Sequence, residues 1–245
     1  MHDDFIYGDD WASVYEKITN MRGKIAEADE TVAFLERRCN RGNALELGIG
    51  NGRVAVPLSA RGICVEGIDN SGSMLRLLAS RSNTVKAWRG DITNFTLTSC
   101  YNTVYCIYNT FMQLFTREAQ IACLRSAASV LAEDGFLVIE IDVPTLDGFV
   151  NGQKTTTLHV DHENTFLRAD VHDSLKQNLV TSFLLFSETS VRRLAQPVRY
   201  VYHQELDTMA ECAGLELAER WGDWVGGAFT QASTRHISVY RRASL

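Results

Sequence analysis

The stretch "ALELGIGNGR" (residues 44–53) decides the fold and raises a chemical question. An apolar run ends in three closely spaced glycines, Gly48, Gly50 and Gly52, with an acid, Glu46, two positions ahead of the first. A glycine-rich turn after a strand lets a nucleotide-like ligand approach the backbone. In the dinucleotide fingerprint G-x-G-x-x-G a pyrophosphate sits on the helix that follows, but here the third glycine comes one residue early. A carboxylate at the mouth of a phosphate site would repel the ligand. It suits a ligand that presents an ammonium group beside the loop.

On either side of this turn, short apolar runs alternate with helical segments. Strands are expected at 43–48, 63–69, 84–91, 101–109 and 136–144, and helices at 53–62, 71–81 (with Ser71 as N-cap) and 117–135. Continuously apolar strands separated by helices predict a doubly wound α/β fold with a mostly parallel, Rossmann-like sheet. Residues 11–38 read as helical with an interruption near Gly23. From about 145 to 200 apolar and polar residues alternate, with breaks near His162–Asn164 and Leu175–Asn178, which predicts an antiparallel meander. A helix at 203–214 and strands at 215–224 and 234–242 complete a seven-stranded sheet. The expected organisation is one domain: an N-terminal helical lid (1–40), a core (41–144 and 201–245) and an inserted sheet (145–200).

The chain has 245 residues, 45% of them hydrophobic and 22% charged, as in ordinary globular proteins. A net charge of -6 argues against a nucleic-acid partner, whose phosphates need clustered Lys and Arg. No apolar run is long enough to predict a membrane span, and the acidic opening lacks the character of a signal peptide. Six cysteines without a CxxC spacing predict reduced, mostly buried thiols in a cytoplasmic protein.

The glycine loop "LELGIGNGR" resembles the first motif of class I S-adenosylmethionine-dependent methyltransferases, close to (D/E)-x-G-x-G-x-G. That cofactor has an adenosine, no phosphate, an ammonium and a sulfonium, which fits the placing of Glu46. Further pieces resemble the family in order. Asp69 in "VEGIDNS" lies 21 residues after Gly48, where the family holds the ribose hydroxyls. "RGDI" (89–92) falls where the family's acid takes the adenine amino group and the next residue covers the ring, which implies Asp91 and Ile92. Met74 falls where the other adenine face is covered. "CIYNTFMQL" (106–114) lies where the fourth strand borders donor and acceptor, and "LAEDGFLVIEID" (131–142) resembles the fifth-strand segment. One departure is Asn102, where many members carry an acid.

The resemblance implies Tyr15, Glu46, Gly48, Gly50, Asp69, Asn70, Met74, Gly90, Asp91, Ile92 and Ile107 as the cofactor set. Tyr7, Trp11 and Tyr15 share one face if their segment is helical, and such a face either packs on the core or lids the pocket. Tyr7, Trp11, Tyr108, Asn109, Trp224 and Phe229 are the candidate acceptor contacts; for Trp221, core packing is preferred. The histidines of "HVDH" (159–162), with His159 and His162 placed to point apart on a strand, do not suggest a metal. Glu140 and Asp142 lack the Asp-Asn pair of metal-dependent catechol methyltransferases.

The expected reaction is methyl transfer to a small molecule, with the enzyme supplying position and dryness. A neutral nitrogen needs no strong base and a hydroxyl generally does, and no base can be picked from the sequence. The lid and meander resemble secondary-metabolite enzymes, including amino-sugar N-methyltransferases and the azapteridine-methylating toxoflavin synthase. The rings at both ends of the chain favour a flat heteroaromatic nitrogen. Amino sugars and O-methylation remain alternatives, as do a macromolecular acceptor and a non-catalytic cofactor-binding subunit. A monomer or a homodimer through the meander's edge is expected.

Overall fold

The computed structural model describes residues 8–21, 27–40 and 42–243. Two sheets organise them, one of seven strands in the order β10-β11-β5-β4-β1-β2-β3 and one of four in the order β6-β7-β8-β9. In the larger sheet β1 (Asn43–Leu47) pairs in parallel with β2 (Cys64–Asp69) on one side and β4 (Tyr101–Cys106) on the other. β3 (Lys86–Arg89) and β5 (Leu131–Asp142) extend it in parallel on the two flanks. β11 (Arg235–Arg242) and β10 (Leu215–Trp221) close it antiparallel. Chain order reverses direction between β1 and β4, so a crevice opens beyond their carboxyl ends, where doubly wound sheets bind ligands.

Burial explains why these segments are strands. In β1 the run Ala44–Leu47 is buried throughout, which leaves Glu46 as an acid inside an apolar layer. The covering helices are α2 (Ala28–Cys39), α3 (Ala55–Ala60), α4 (Gly72–Arg81), α5 (Arg117–Ser129) and α6 (His203–Glu211). The Ser71 hydroxyl accepts from the Met74 amide at 3.2 Å and caps α4, as the sequence suggests. The helix expected to reach Gly135 stops earlier, and β5 begins at Leu131. Tyr101 pairs with Leu131 but Thr103 with Phe136, a bulge that turns the chain sharply. A side chain at Gly135 would stand 2.8 Å from the Tyr101 carbonyl, so the bulge needs a glycine.

The meander is fully antiparallel: β6 (Gln153–Val160), β7 (Asn164–Asp173), β8 (Asn178–Ser187) and β9 (Val191–Arg199). α1 (Asp9–Met21) lies on its inner face, where Trp11, Val14 and Ile18 join Phe166, Phe183, Leu185 and Leu194 in a separate apolar cluster. The other side of α1 reaches α4 through Asp9 with Arg76 (2.8 Å) and through Glu16 with Arg81. The helix therefore bridges the small sheet and the larger one across the crevice.

The cysteines are unpaired but only half of them are buried: Cys39, Cys106 and Cys123 are inside, while Cys64, Cys100 and Cys212 are exposed. Cys64 and Cys100 stand at the amino ends of β2 and β4, where an apolar run in sequence does not guarantee cover. Among the described residues no helix is long and apolar enough to cross a membrane. Asn102 and Asn43 exchange side-chain-to-backbone hydrogen bonds of 3.2 Å at the strands' amino ends, far along the sheet from the crevice.

Candidate active site

Two cavities open at the carboxyl ends of the strands. The first, about 220 Å³, is walled by the glycine turn, the ends of β2 and β3, and the segment after β4. All eleven residues grouped by the motifs line it: Tyr15, Glu46, Gly48, Gly50, Asp69, Asn70, Met74, Gly90, Asp91, Ile92 and Ile107. Sequence reading missed Arg53, Thr110, Gln113 and Phe115, which line the same space. The last three come from a 3-10 helix (Thr110–Gln113) and its exit, too short to show a period.

The turn is built by specific local forces. Gly48 adopts φ +79°, and a side chain there would come within 2.4 Å of the Thr110 methyl. Asp69 holds the turn from below: its Oδ2 accepts from the Gly50 amide at 2.7 Å and its Oδ1 from the Ser71 amide at 2.8 Å. Burial raises the Asp69 carboxyl above its ordinary value, against the pull of those two amides. Glu46 is 5% exposed and accepts from the Tyr105 hydroxyl at 3.1 Å. Burial pushes its carboxyl up to about 8, with Tyr105 and Arg53 opposing and Asp69 reinforcing. Asp91 is exposed and its Oδ1 accepts from the Thr93 amide and hydroxyl, both at 2.8 Å.

The second cavity, about 410 Å³, lies between α1, the inner face of the meander and the ends of β4, β5 and β11. Tyr15, Arg53 and Tyr108 line both cavities, so the two spaces share a wall. Tyr108 and Asn109 take φ +55° and +63°, two consecutive left-handed residues of a kind that concentrate at functional sites. The turn is held by the buried Glu140, which accepts from the Tyr108 amide at 2.7 Å. Glu140 in turn accepts from Arg235 at 3.1 Å, and Arg235 also donates to Glu27 at 2.7 and 3.0 Å. That pairing with Glu27 holds the Arg235 guanidinium well above its ordinary value, so its charge is fixed. The Arg53 guanidinium stacks over the Tyr108 ring at 3.5 Å. Burial pushes the Tyr108 phenol up to about 12, so at neutral pH it is a hydroxyl and not a base.

Of the candidate acceptor contacts, Trp11, Tyr108 and Asn109 line this second cavity. Tyr7 lies outside the described residues. Trp224 and Phe229 line neither cavity. Trp224 is 2% exposed and packs edge-on against Phe34 of α2 at 5.2 Å, so it belongs to the core. Phe229 packs against His203 and His236 at 5.1 and 5.6 Å. Trp221, expected in the core, packs half-buried against the same core cluster and donates to Glu219 at 2.7 Å. His159 pairs with Asp161 at 2.8 Å, and His162 lies in the turn beyond β6 rather than on the strand. Among the described residues no group of three or more His, Cys, Asp or Glu is arranged to hold a metal.

Comparison with known proteins agrees with this geometry. Residues 44–135 match the family model described as a methyltransferase domain. The structure superposes on the CcbJ methyltransferase from Streptomyces caelestis with a TM-score of 0.85 and 33% identity, covering 89% of this chain and 90% of that one. The cypemycin N-terminal methyltransferase of a Streptomyces species is 24% identical over 99% of this chain and 100% of its own length. A dTDP-4-amino-2,3,4,6-tetradeoxy-D-glucose N,N-dimethyltransferase from Saccharopolyspora spinosa is 29% identical over 60% of this chain and 61% of its own. With the glycine turn, the seven-stranded sheet and these matches together, the chain belongs to the S-adenosylmethionine-dependent methyltransferases.

Proposed function

We propose that this protein methylates a nitrogen of a small molecule of secondary metabolism, with the donor in the first cavity and the acceptor in the second. The observation that carries this reading is the shared wall of Tyr15, Arg53 and Tyr108, across which two ligands would meet. The first cavity fits S-adenosylmethionine in its chemistry. Glu46 suits an ammonium, Asp69 keeps lone pairs for ribose hydroxyls, and Met74 and Ile92 offer apolar faces to a base, with Asp91 beside them for its amino group. Gly48, Gly50, Asn70, Gly90 and Ile107 complete the wall, and Tyr15 closes it from α1. The bound donor supplies a methyl group already activated on a sulfonium. The chain's own contribution is to orient the acceptor, exclude water beneath α1 and keep the pocket rigid through the Glu140–Arg235–Glu27 network.

Nitrogen is favoured because no histidine lines either cavity among the described residues and the Tyr108 phenol stays protonated. The names of the two curated relatives, an N-terminal methyltransferase and an amino-sugar N,N-dimethyltransferase, support the same choice. The finer choice of a flat heteroaromatic acceptor, of the azapteridine kind, loses the support of Trp224 and Phe229. It draws instead on Trp11, Tyr15, Tyr108 and Tyr200, all of which line the second cavity. O-methylation has one observation in its favour: the Tyr200 hydroxyl shares a 3.0 Å hydrogen bond with the His172 ring. The lid, core and insertion act as one unit in the cytoplasm, as a monomer or homodimer. Methyl transfer to panels of heteroaromatic amines, amino sugars and phenols tests the reading. Turnover of heteroaromatic nitrogens is expected; activity confined to the sugars would remove the heterocycle, and activity confined to phenols would remove nitrogen.

A further inference from the structure

The meander carries a polar row across its inner face that the donor site does not use. Asp170 of β7 stands opposite Thr181 of β8, and Thr181 stands opposite Gln196 of β9. Thr181 and Gln196 line the second cavity, together with Arg168, two residues before Asp170 on the same face. Asp170 itself lies underneath, 4% exposed. Its Oδ1 accepts from the Thr181 hydroxyl at 2.5 Å and from the Arg168 Nε at 2.9 Å, and its Oδ2 stands 2.8 Å from the same Nε. Burying a carboxylate is costly unless it is paired, so this arrangement is kept by its contacts.

The consequence falls on Arg168. Its Nε is held by Asp170, and among the described residues no hydrogen bond or ion pair engages its two terminal NH2 groups. The side chain is 35% exposed and lines the cavity. A guanidinium pinned at Nε keeps a planar terminal fork, the shape that takes a carboxylate through two parallel hydrogen bonds. The surroundings point the same way. The protein carries a net charge of -6, yet among the described residues the charged lining of this cavity is Arg53, Arg168 and Arg235 against Asp142. Arg235 is balanced by Glu27 and Glu140, and Asp142 is tied to Asn109.

The geometry points to an acceptor that carries a carboxylate besides its nucleophilic nitrogen, bound by Arg168, with Asp170 and Thr181 as the residues that position it. This inference rests on the two-cavity reading above and narrows the acceptor class within it. A phosphate would satisfy the same fork, so the test separates the two anions.

The test uses protein loaded with S-adenosylhomocysteine and ligand-observed NMR titration. The probes are 4-aminobenzoate, anthranilate and proline, each beside its primary amide, with thymidine diphosphate as the phosphate source. At least one carboxylate should bind about tenfold more tightly than its amide. That preference should vanish in Arg168→Gln and survive in part in Arg168→Lys, which keeps the charge without the fork. Arg168→Gln leaves Asp170 buried without its cation, so the double variant Arg168→Gln/Asp170→Asn removes that charge if the single variant fails to fold. Amides that bind as well as carboxylates, no carboxylate binding, or Arg168-dependent binding of thymidine diphosphate alone would each overturn the assignment. Failure of the unaltered protein to bind S-adenosylhomocysteine would count against the two-cavity reading itself. Retained binding with no carboxylate preference would sink the Arg168 assignment only.

Discussion

Asn109 and Asp142 clasp one another across the ends of β4 and β5: the Asn109 Nδ2 donates to Asp142 Oδ2, and its Oδ1 accepts from the Asp142 amide, both at 2.7 Å. Asparagine tolerates the left-handed φ of +63° found at this position better than most residues, and both partners line the second cavity. Asn109→Ala should cost about 1–3 kcal/mol of stability, the sum of two hydrogen bonds and some backbone strain. Asn109→Gly should recover the strain but not the clasp. Chemical denaturation of the three proteins separates these parts, and equal midpoints for Asn109→Ala and the parent would show that the clasp contributes nothing.

Glu46 sets a pH dependence. Its folded carboxyl titrates at about 8, well above the ordinary carboxylate range, so it holds a proton through neutral pH without a ligand. A group with a raised folded value contributes stability that is fully present below the ordinary value and is lost as pH rises through about 8. An ammonium bound beside it reverses the preference and drives the proton off. Calorimetry with S-adenosylhomocysteine at pH 7, in buffers of different ionisation enthalpy, should therefore report net proton release, absent in Glu46→Gln. Heat that does not depend on the buffer would mean that Glu46 is not beside the ammonium.

Gly48 and Gly50 both have positive φ, but their surroundings differ. A methyl at Gly48 would meet the Thr110 methyl at 2.4 Å, whereas at Gly50 its nearest neighbour is the end of the Met74 side chain at 3.4 Å. The left-handed backbone costs either alanine about 1–2 kcal/mol, and Gly48→Ala carries the clash in addition. Thermal unfolding without ligand should place Gly48→Ala clearly below Gly50→Ala. The reverse order would contradict this description of the turn.

Much of the first cavity's lining was legible because it sits in one contiguous pattern. Glycines, acids and apolar runs at the ends of β1, β2 and β3 are local signals, and the parallel register brings them to one crevice. The second cavity was less legible. Arg168, Thr181 and Gln196 come from three strands whose pairing fixes which alternate residues face inward. Arg235 and Glu27 meet across nearly the whole chain, which no local pattern announces. Trp221 and Trp224 show the limit most plainly: both pack on one core cluster, and three residues and a turn decide which ring is fully buried.

Trp11 and Trp224 give the corresponding functional contrast. Trp224→Phe should leave methyl transfer intact, because its indole NH has no hydrogen-bond partner among the described residues and the ring packs within the core, edge-on to Phe34. Trp224→Ala should cost about 3–5 kcal/mol by cavity formation. Trp11 packs on Phe183 at 5.7 Å and lines the second cavity, so Trp11→Ala should weaken acceptor use while S-adenosylhomocysteine affinity holds. Steady-state kinetics beside unfolding curves would expose a wrong assignment of either ring.

The most direct measurement is calorimetric titration of the purified protein with S-adenosylhomocysteine, beside NAD, repeated on Asp69→Asn. Asp69 both ties the glycine turn and faces the first cavity from the end of β2. Binding of S-adenosylhomocysteine, none of NAD, and a loss of about tenfold or more in the variant are predicted. Binding of NAD instead, or equal affinity in Asp69→Asn, would contradict the placing of the methyl donor in this cavity.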